Sequence, residues 1–161
     1  QKVVESVNIP VIAAGGIATG KAMLAAMALG ADAVQIGSRF VASKESSAHP
    51  NFKNQVIMSG EGDTRLTLKE LTPVRLIKNN FYKEIEEAYE KNATSEELKE
   101  LLGRGRAKKG MFEGDLNEGE LEIGQVATYI DRIQPASEIM DEILKEFFET
   151  RQQLLEDKFV F

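Results

Sequence analysis

Two pairs of small residues are the part of this 161-residue sequence best suited to hold a ligand. Gly15 and Gly16 directly follow the apolar run 9–14, and Gly37 and Ser38 follow the run 33–36. A glycine has no Cβ, so it lets a ligand approach the backbone closely and adopts positive φ without strain. The N–H groups of two such turns, together with the Ser38 hydroxyl, could bind a phosphate dianion. Glycine pairs also close ordinary strand-to-helix turns, so both interpretations stay open at this point.

The segments around these turns predict half of an α/β unit. The apolar runs 9–14 and 33–36 are typical of strands that are buried on both faces, as in a parallel sheet. The small and apolar residues 20–30 predict a helix packed between layers, with Gly30 as its stop. Strand, helix and strand in this order predict a parallel pair with a right-handed crossover. Both glycine turns would then lie at the carboxyl ends of the strands, where ligands bind, and amides of a helix starting after Ser38 would add positive charge.

Composition excludes several classes of protein. The chain has 20 basic and 26 acidic residues, a net charge of −6, which argues against a nucleic-acid-binding surface. It has no cysteine and a single histidine, His49, which excludes disulfides, thiolate catalysis and metal sites built from several histidines. No run approaches the roughly 18 apolar residues of a membrane helix, and no secretory signal is visible. We therefore expect a cytoplasmic protein with no membrane, nucleic-acid or metal partner.

The sequence changes character near Ser43. Residues 1–43 are rich in small and apolar side chains, and the remainder is rich in Glu, Lys and Leu. Residues 64–68 and 73–77 predict short strands, and Thr94 with Glu97 predicts a capping box before a helix that stops at Gly103. Residues 137–157 predict the longest helix, with Ser137 as its N-cap. These patterns divide the chain into three parts: 1–43, 44–136 and 137–161.

Other residues have both a chemical and a structural interpretation. The basic cluster Arg104, Arg106, Lys108 and Lys109 could contact an anionic substrate, but a solvated helix surface is the favoured interpretation, as it is for Arg75. The glycine- and acid-rich segment 110–124 is interpreted as a surface turn rather than a metal loop, because its spacing differs from an EF-hand. His49 precedes Pro50, so a structural role at a helix start is favoured over general-base catalysis.

The sequence also resembles a known family of enzymes. The resemblance is carried by residues 9–53, IPVIAAGGIATGKAMLAAMALGADAVQIGSRFVASKESSAHPNFK, and by the later segments LTPVRLIKN, GMFEGDLNEGE and IGQVA. These motifs are similar to those of nitronate monooxygenases, also called 2-nitropropane dioxygenases, and equally to those of the related flavin-dependent enoyl-acyl-carrier-protein reductases. Both groups are FMN-binding β/α barrels, and the similarity extends over nearly the whole chain.

The resemblance implies a fold and a set of cofactor contacts. The fold is α/β: the last two strands of a TIM (β/α)8 barrel, followed by a mostly helical α+β extension. The glycine of the family's AGGI motif that meets the FMN phosphate falls on Gly16, with Gly15 beside it. Its QxGT element falls on Gln35, Ile36, Gly37 and Ser38, with Ser in place of Thr, which keeps the hydroxyl. The Gly-Gln segment at Gln125 lies toward the family's active site. No catalytic residue is expected within the chain, because the family's catalytic histidine comes from an upstream motif.

The same resemblance assigns roles to the three parts of the chain. Residues 1–43 would end the FMN-binding barrel, 44–136 would form a smaller lid or extension domain, and 137–161 a helix docked on the barrel. A β/α barrel needs roughly 200–250 residues. We therefore expect the chain to need an N-terminal half, and to be inactive alone. A homodimer is left open.

Three functions follow as hypotheses. The first is an FMN-dependent oxidoreductase that oxidises alkyl nitronates with oxygen. The second is an enoyl-acyl-carrier-protein reductase that uses a nicotinamide donor and an enoyl thioester. The segment LTPVRLIKNNF and the basic cluster slightly favour this second function. The third is a non-catalytic phosphate- or nucleotide-binding module that acts with a partner chain.

Overall fold

The computed structural model describes residues 1–156, and its first part is a parallel strand–helix–strand unit. A short helix α1, Lys2–Ser6, precedes strand β1, Ile12–Ala14, helix α2, Gly20–Ala28, and strand β2, Ala33–Gln35. The two strands pair in parallel, with Ile12 opposite Ala33 and Ala14 opposite Gln35. The predicted parallel pair with a helical crossover is confirmed.

The prediction that both strands are buried on both faces is wrong for this chain. The first and third residues of β1 and of β2 are exposed, and only the middle residue of each is half-buried. Ile12 is 61% exposed, and Ile9, just before the strand, is 72% exposed. Parallel strands are buried on both faces only when both faces of their sheet are covered. Within the described residues this sheet has two strands, so its apolar side chains remain accessible.

Helix α2 packs against the last helix of the described chain, α7, Ala136–Gln153. Gly20 opens α2 and is buried against α7, where an added Cβ would collide with the backbone at Ile143 and Phe147. The Glu146 carboxylate of α7 accepts a hydrogen bond from the Gly20 N–H at 2.6 Å. The Gly20 N–H, which has no acceptor within α2 itself, is therefore bonded to a carboxylate of α7. This hydrogen bond fixes the position of one helix on the other.

The start of α7 differs from the prediction. The helix begins at Ala136, and its N-cap is Pro135, which offers no side-chain hydrogen bond, so the prediction of Ser137 as N-cap is wrong. The Glu45 carboxylate instead accepts a hydrogen bond from the Ala136 N–H at 2.9 Å, and this bond is the main reason that the pKa of Glu45 is lowered. A distant carboxylate thus replaces the local cap. Asp157, the predicted last residue of the helix, lies outside the described residues.

The middle of the chain is a set of short helices around a β-hairpin. Strand β3, Thr64–Thr67, and strand β4, Val74–Ile77, pair antiparallel, with Thr64 opposite Ile77 and Thr67 opposite Val74. Two neighbouring residues of β4 belong to different buried hydrophobic clusters. Ile77 is in one cluster together with Phe52, and Leu76 is in the other together with Phe81. The elements are α3 Ser38–Val41, α4 Pro50–Met58, β3 Thr64–Thr67, β4 Val74–Ile77, α5 Asn80–Glu90, α6 Ser95–Leu102, a π-helical turn Lys108–Phe112 and a 3-10 turn Gln125–Tyr129.

The glycine-rich segment 110–124 is not the surface turn that the sequence predicts. Gly110, Gly114 and Gly119 are buried. A Cβ on Gly119 would overlap the Gly110 backbone, and one on Gly114 would overlap the ring of His49. Glycine is needed at these positions because neighbouring parts of the chain leave no space for a Cβ. Of the helices in residues 1–156, each is too short or too polar to cross a membrane.

Candidate functional site

The two glycine turns lie side by side at the carboxyl edge of the parallel strands. Because Ala14 pairs with Gln35, the chain leaves β1 and β2 at the same level of the sheet. Gly15 and Gly16 have φ values of +89° and +73°, which L-residues with a side chain rarely adopt. A Cβ placed on Gly15, Gly16 or Gly37 would meet no atom within 4 Å. The turns therefore border open space that a ligand could enter. The two turns, Gly15-Gly16 and Gly37-Ser38, are called the glycine cradle below.

Ser38 joins this cradle to a second part of the chain. It is the first residue of α3, and its Oγ accepts a hydrogen bond from the Gly124 N–H at 2.9 Å. The hydroxyl proton remains available for donation to a ligand. Gln35 is exposed at the end of β2, and Ile36 beside it is half-buried. The structure thus places all six predicted cofactor-binding residues at or directly after the ends of the two strands.

A cleft of about 940 Å³ lies beside Gly16 and brings together residues from three separate segments. It contains two further residues that the sequence singled out, Arg75 of β4 and Gln125 at the start of the 3-10 turn. The complete lining is Gly16, Glu61, Gly62, Thr64, Arg65, Leu66, Lys69, Arg75, Gln125, Val126, Thr128 and Tyr129. One wall is therefore the hairpin, and another is the 3-10 turn that Ser38 contacts through Gly124.

The charges in the cleft are mostly positive. Arg65, Lys69 and Arg75 line it together with one carboxylate, Glu61. The Arg75 guanidinium donates to the backbone oxygen and the hydroxyl of Thr64, at 3.3 and 3.2 Å, which holds it on the hairpin. None of these three cations forms an ion pair with an acidic side chain in the part of the chain that the structure describes. The cleft is thus suited to an anionic ligand.

Arg39 is a structural residue of the site that the sequence analysis missed. Its side chain is buried, and one nitrogen, Nη2, lies 2.7 Å from the Glu142 carboxylate of α7. Nη1 donates to the backbone oxygen of Tyr129 at 3.2 Å. Arg39 therefore ties α3 to α7 and to the end of the 3-10 turn. The signal in the sequence is an arginine directly after Ser38, in a segment with few other charges.

Comparison with known proteins identifies the family. Residues 1–146 match the family profile described as nitronate monooxygenase. The chain belongs to the nitronate monooxygenase family. A probable nitronate monooxygenase of Staphylococcus aureus is 32% identical over 152 residues, which is 94% of this chain and 42% of that protein.

Two solved structures are similar in fold as well as in sequence. FabK from Thermotoga maritima is 46% identical with a TM-score of 0.87, over 95% of this chain and 49% of that one. A nitroalkane oxidase from Streptomyces ansochromogenes is 32% identical with a TM-score of 0.75, over 95% of this chain and 43% of that one. The chain spans about half the length, or less, of the relatives that it matches. Both solved structures thus share the described fold over 95% of this chain.

The basic cluster of the sequence does not reach the cleft. Arg106 is partly buried, donates to the carbonyl oxygens of Leu101 and Leu102 at the end of α6, and lies 4.2 Å from the centre of the Phe81 ring. Lys108 and Lys109 pair with Glu113 and Asp115 at 2.9 and 3.2 Å. The interpretation as a solvated helix surface is therefore wrong for Arg106, which is partly buried and caps α6, whereas Lys108 and Lys109 are exposed.

His49 has the structural role that the sequence favours. It is the N-cap of α4, where its Nδ1 accepts a hydrogen bond from the Asn51 N–H at 3.1 Å. The backbone N–H of His49 donates to the Met111 carbonyl at 2.8 Å, and the His49 ring packs on Gly114. Its side chain does not line the cleft. His49 therefore joins α4 to the glycine-rich segment.

Glu120 is a buried carboxyl group that the sequence analysis also missed. It is 6% exposed, and burial raises its pKa to about 7, with a further increase from the charge of Glu122 and a decrease from Arg106. It does not line the cleft. We therefore expect Glu120 to make the stability of the fold depend on pH without belonging to the candidate site.

Proposed function

We propose that this chain is part of an FMN-dependent oxidoreductase that oxidises alkyl nitronates, and that it supplies the grip on the cofactor phosphate. The observation that carries the proposal is the open glycine cradle at the carboxyl ends of two parallel strands. Phosphate groups bind at this edge of β/α barrels, after the last strands. Membership of the nitronate monooxygenase family supports the same cofactor.

The residues of the cradle fit an FMN phosphate. Among the described residues, no group accepts a hydrogen bond from the N–H of Gly16 or of Gly37, so both amides are free to donate to the phosphate. The Ser38 hydroxyl supplies a third donor, and Gly15, Gln35 and Ile36 complete the proposed contacts. When bound, FMN accepts electrons from the substrate and passes them to oxygen. The chain's own residues hold the phosphate and form one side of the cleft beside it. None of them is proposed as a catalytic residue.

We propose further that β1 and β2 are the last two strands of a (β/α)8 barrel. The exposed Ile12 and Ile9 suit strands whose remaining neighbours come from an N-terminal half outside this sequence. In this arrangement residues 1–43 end the barrel, 44–136 form the lid or extension, and 137–161 include the docking helix. The packing of α7 on α2 supports the last assignment. A cytoplasmic location is part of the same proposal, and a homodimer is compatible with it.

A second candidate function is reduction of an enoyl thioester with a nicotinamide donor. Two observations favour it. The chain is more similar to FabK than to the nitroalkane oxidase, at 46% against 32% identity. The cleft also has an excess of positive charge, from Lys69 and Arg75 against the one carboxylate of its lining, Glu61. The non-catalytic phosphate-binding module remains the third candidate.

The test uses the protein expressed from its complete reading frame, called the complete protein below. It is purified, loaded with FMN and mixed anaerobically with an alkyl nitronate, with NADH or with NADPH, while the flavin absorbance is recorded. Bleaching by nitronate alone supports the nitronate monooxygenase. Bleaching by a nicotinamide donor but not by nitronate contradicts it and supports the enoyl reductase. A bound flavin that neither reagent bleaches, or no bound flavin, would leave the phosphate-binding module.

A further inference from the structure

Three side chains with large apolar surfaces line the cleft beside the glycine cradle without joining the core of the protein. Leu66 is 41% exposed, Tyr129 is 66% exposed, and Val126 is half-buried. Within residues 1–156, none of the three belongs to either hydrophobic cluster or packs against one. Exposed apolar surface is unfavourable in water, and covering it with an apolar ligand is therefore favourable. Leu66, Val126 and Tyr129 are called the apolar wall below.

The backbone on both sides of the apolar wall is held in place. Leu66 lies directly opposite Arg75 in the antiparallel register, so these two side chains share one face of the hairpin. Val126 and Tyr129 belong to the 3-10 turn, and Arg39 donates a hydrogen bond to the Tyr129 carbonyl at 3.2 Å. A surface that is fixed before the ligand arrives loses little conformational freedom on binding.

The charged groups of the same cleft favour a small anion over a protein segment as the occupant. Lys69 and Arg75 outnumber the one carboxylate of the lining, Glu61, so the cleft attracts anions. The cores of protein–protein interfaces are depleted of charged residues, which argues against a covering contact from another part of the protein. An alkyl nitronate combines a negative charge with an apolar chain, and both parts have complementary groups in this cleft.

The apolar wall lies on elements that do not form the proposed phosphate site. Gly16 is the one residue of the glycine cradle that borders the cleft, whereas the apolar wall comes from the hairpin and the 3-10 turn. The volume of about 940 Å³ is at the upper end of the range for small organic ligands. The cleft therefore has space for an alkyl chain of several carbons in addition to the reacting group.

We propose that Leu66, Val126 and Tyr129 bind the alkyl chain of the nitronate and make the enzyme selective for longer chains. This inference rests on the proposed function, because it takes an alkyl nitronate as the substrate. The apolar wall binds the part of the substrate that does not react. Its residues therefore affect the affinity for the nitronate and leave the rate of flavin reduction at saturation unchanged.

The test is anaerobic stopped-flow reduction of the FMN-loaded complete protein by the nitronates of nitroethane, 1-nitrobutane and 1-nitrohexane. The dependence of the rate on nitronate concentration gives a dissociation constant and a limiting rate. The variants are Leu66→Ser and Tyr129→Ser, with Leu66→Met as the replacement that keeps an apolar side chain. The control is Leu155→Ser, which removes a leucine that is 74% exposed and lies outside the cleft. Titration with linear carboxylates of the same lengths, followed by flavin absorbance, measures binding without reaction.

We expect the wild type, Leu66→Met and the control to bind the nitronate about three- to fourfold more tightly for each added CH2. In Leu66→Ser and Tyr129→Ser this gain is expected to fall to about twofold or less. The limiting rate, the dissociation constant of FMN and the melting temperature are expected to stay at their wild-type values. The carboxylates are expected to show the same dependence on chain length.

Two kinds of result would overturn the inference. One is a wild-type affinity that does not depend on chain length, or serine variants that keep the wild-type dependence. The other is serine variants that lose FMN affinity or stability in place of chain-length selectivity, because Leu66 and Tyr129 would then pack against the cofactor or against the rest of the protein. Failure of the proposed function has a different signature: no nitronate of any length reduces the wild-type flavin, while the carboxylate titrations still report on the apolar wall.

Discussion

The Oγ of Ser38 accepts a hydrogen bond from the Gly124 N–H at 2.9 Å and so connects the glycine cradle to the wall of the cleft. The next residue, Arg39, donates to the Tyr129 carbonyl at 3.2 Å. Two consecutive residues at the start of α3 therefore hold both ends of the 3-10 turn Gln125–Tyr129, four residues of which line the cleft. A change at either contact is expected to move the cleft wall relative to the cradle.

Gly124 tests the first contact. A Cβ at this position would lie 2.5 Å from the Ser38 Oγ, so Gly124→Ala must push the hydroxyl away. We expect a loss of about 1–3 kcal/mol in the free energy of unfolding and a weaker affinity for FMN. Urea unfolding and a fluorescence titration with FMN measure the two effects on the complete protein. The control is Gly60→Ala, whose Cβ would lie 3.5 Å from its nearest neighbour, an Asp63 oxygen. Equal behaviour of the two variants would contradict the prediction.

Glu142 tests the second contact. Glu142→Gln leaves the buried Arg39 guanidinium without its charged partner and also breaks the pair between Glu142 and Arg132. Because Glu142 is partly exposed, we expect a loss of about 1–3 kcal/mol in stability, less than for a fully buried pair. The control on the same helix is Glu149→Gln, which removes an exposed pair with Lys145 and should cost under about 1 kcal/mol. Urea unfolding compares the two variants. A Glu142→Gln variant as stable as its control would contradict a stabilising role for the contact between Arg39 and Glu142.

Substitutions of His49 distinguish a structural role from a catalytic one. Asparagine is a good N-cap, so His49→Asn should retain most of the stability, while His49→Ala should lose about 1 kcal/mol. Neither variant should change the rate at which substrate reduces the bound flavin, because the side chain does not line the cleft. The rates are measured by anaerobic stopped-flow absorbance on the complete protein. A large decrease in both variants, including the well-folded His49→Asn, would mean that His49 takes part in the reaction.

Glu120 predicts how stability depends on pH. Its pKa in the folded protein is about 7, above the ordinary value of 4.5. The folded state therefore binds the proton more tightly, and the group's contribution is full below about pH 4.5 and is lost as pH rises through about 7. We expect Glu120→Gln to stabilise the protein by about 1–3 kcal/mol at a pH of about 8 and to have little effect at a pH of about 4. Urea unfolding at both pH values measures this, with the exposed Glu90→Gln as control. A Glu120→Gln effect that does not vary with pH would contradict the assignment.

The sequence predicted local features better than long-range ones. The parallel pair, the capping box at Thr94 and the histidine cap of α4 depend on residues close in sequence, and all three are present. The cap of α7 by Glu45 and the contact of Arg39 with Glu142 join residues 91 and 103 positions apart. No local pattern encodes such pairs.

The candidate site shows the same division. The glycine turns were visible because their residue types and their place after apolar runs are local. The cationic cleft was not predicted, because the hairpin and the 3-10 turn meet Gly16 only in the folded chain. Burial of Gly110 and Gly119 was missed for a related reason. A close backbone contact and an exposed turn both favour glycine, so composition alone does not distinguish them.

Gly37 provides the most direct test of the central claim that the glycine turns bind the FMN phosphate. Its φ of −101° suits any residue, and a Cβ there meets no atom within 4 Å, so Gly37→Val should fold normally while obstructing the phosphate. The measurement is a fluorescence titration of FMN into the complete protein, for the wild type, Gly37→Val and Gly60→Val. We predict that the wild type and Gly60→Val bind FMN equally, and that Gly37→Val binds about tenfold or more weakly. Equal affinity of Gly37→Val and the wild type would contradict the claim.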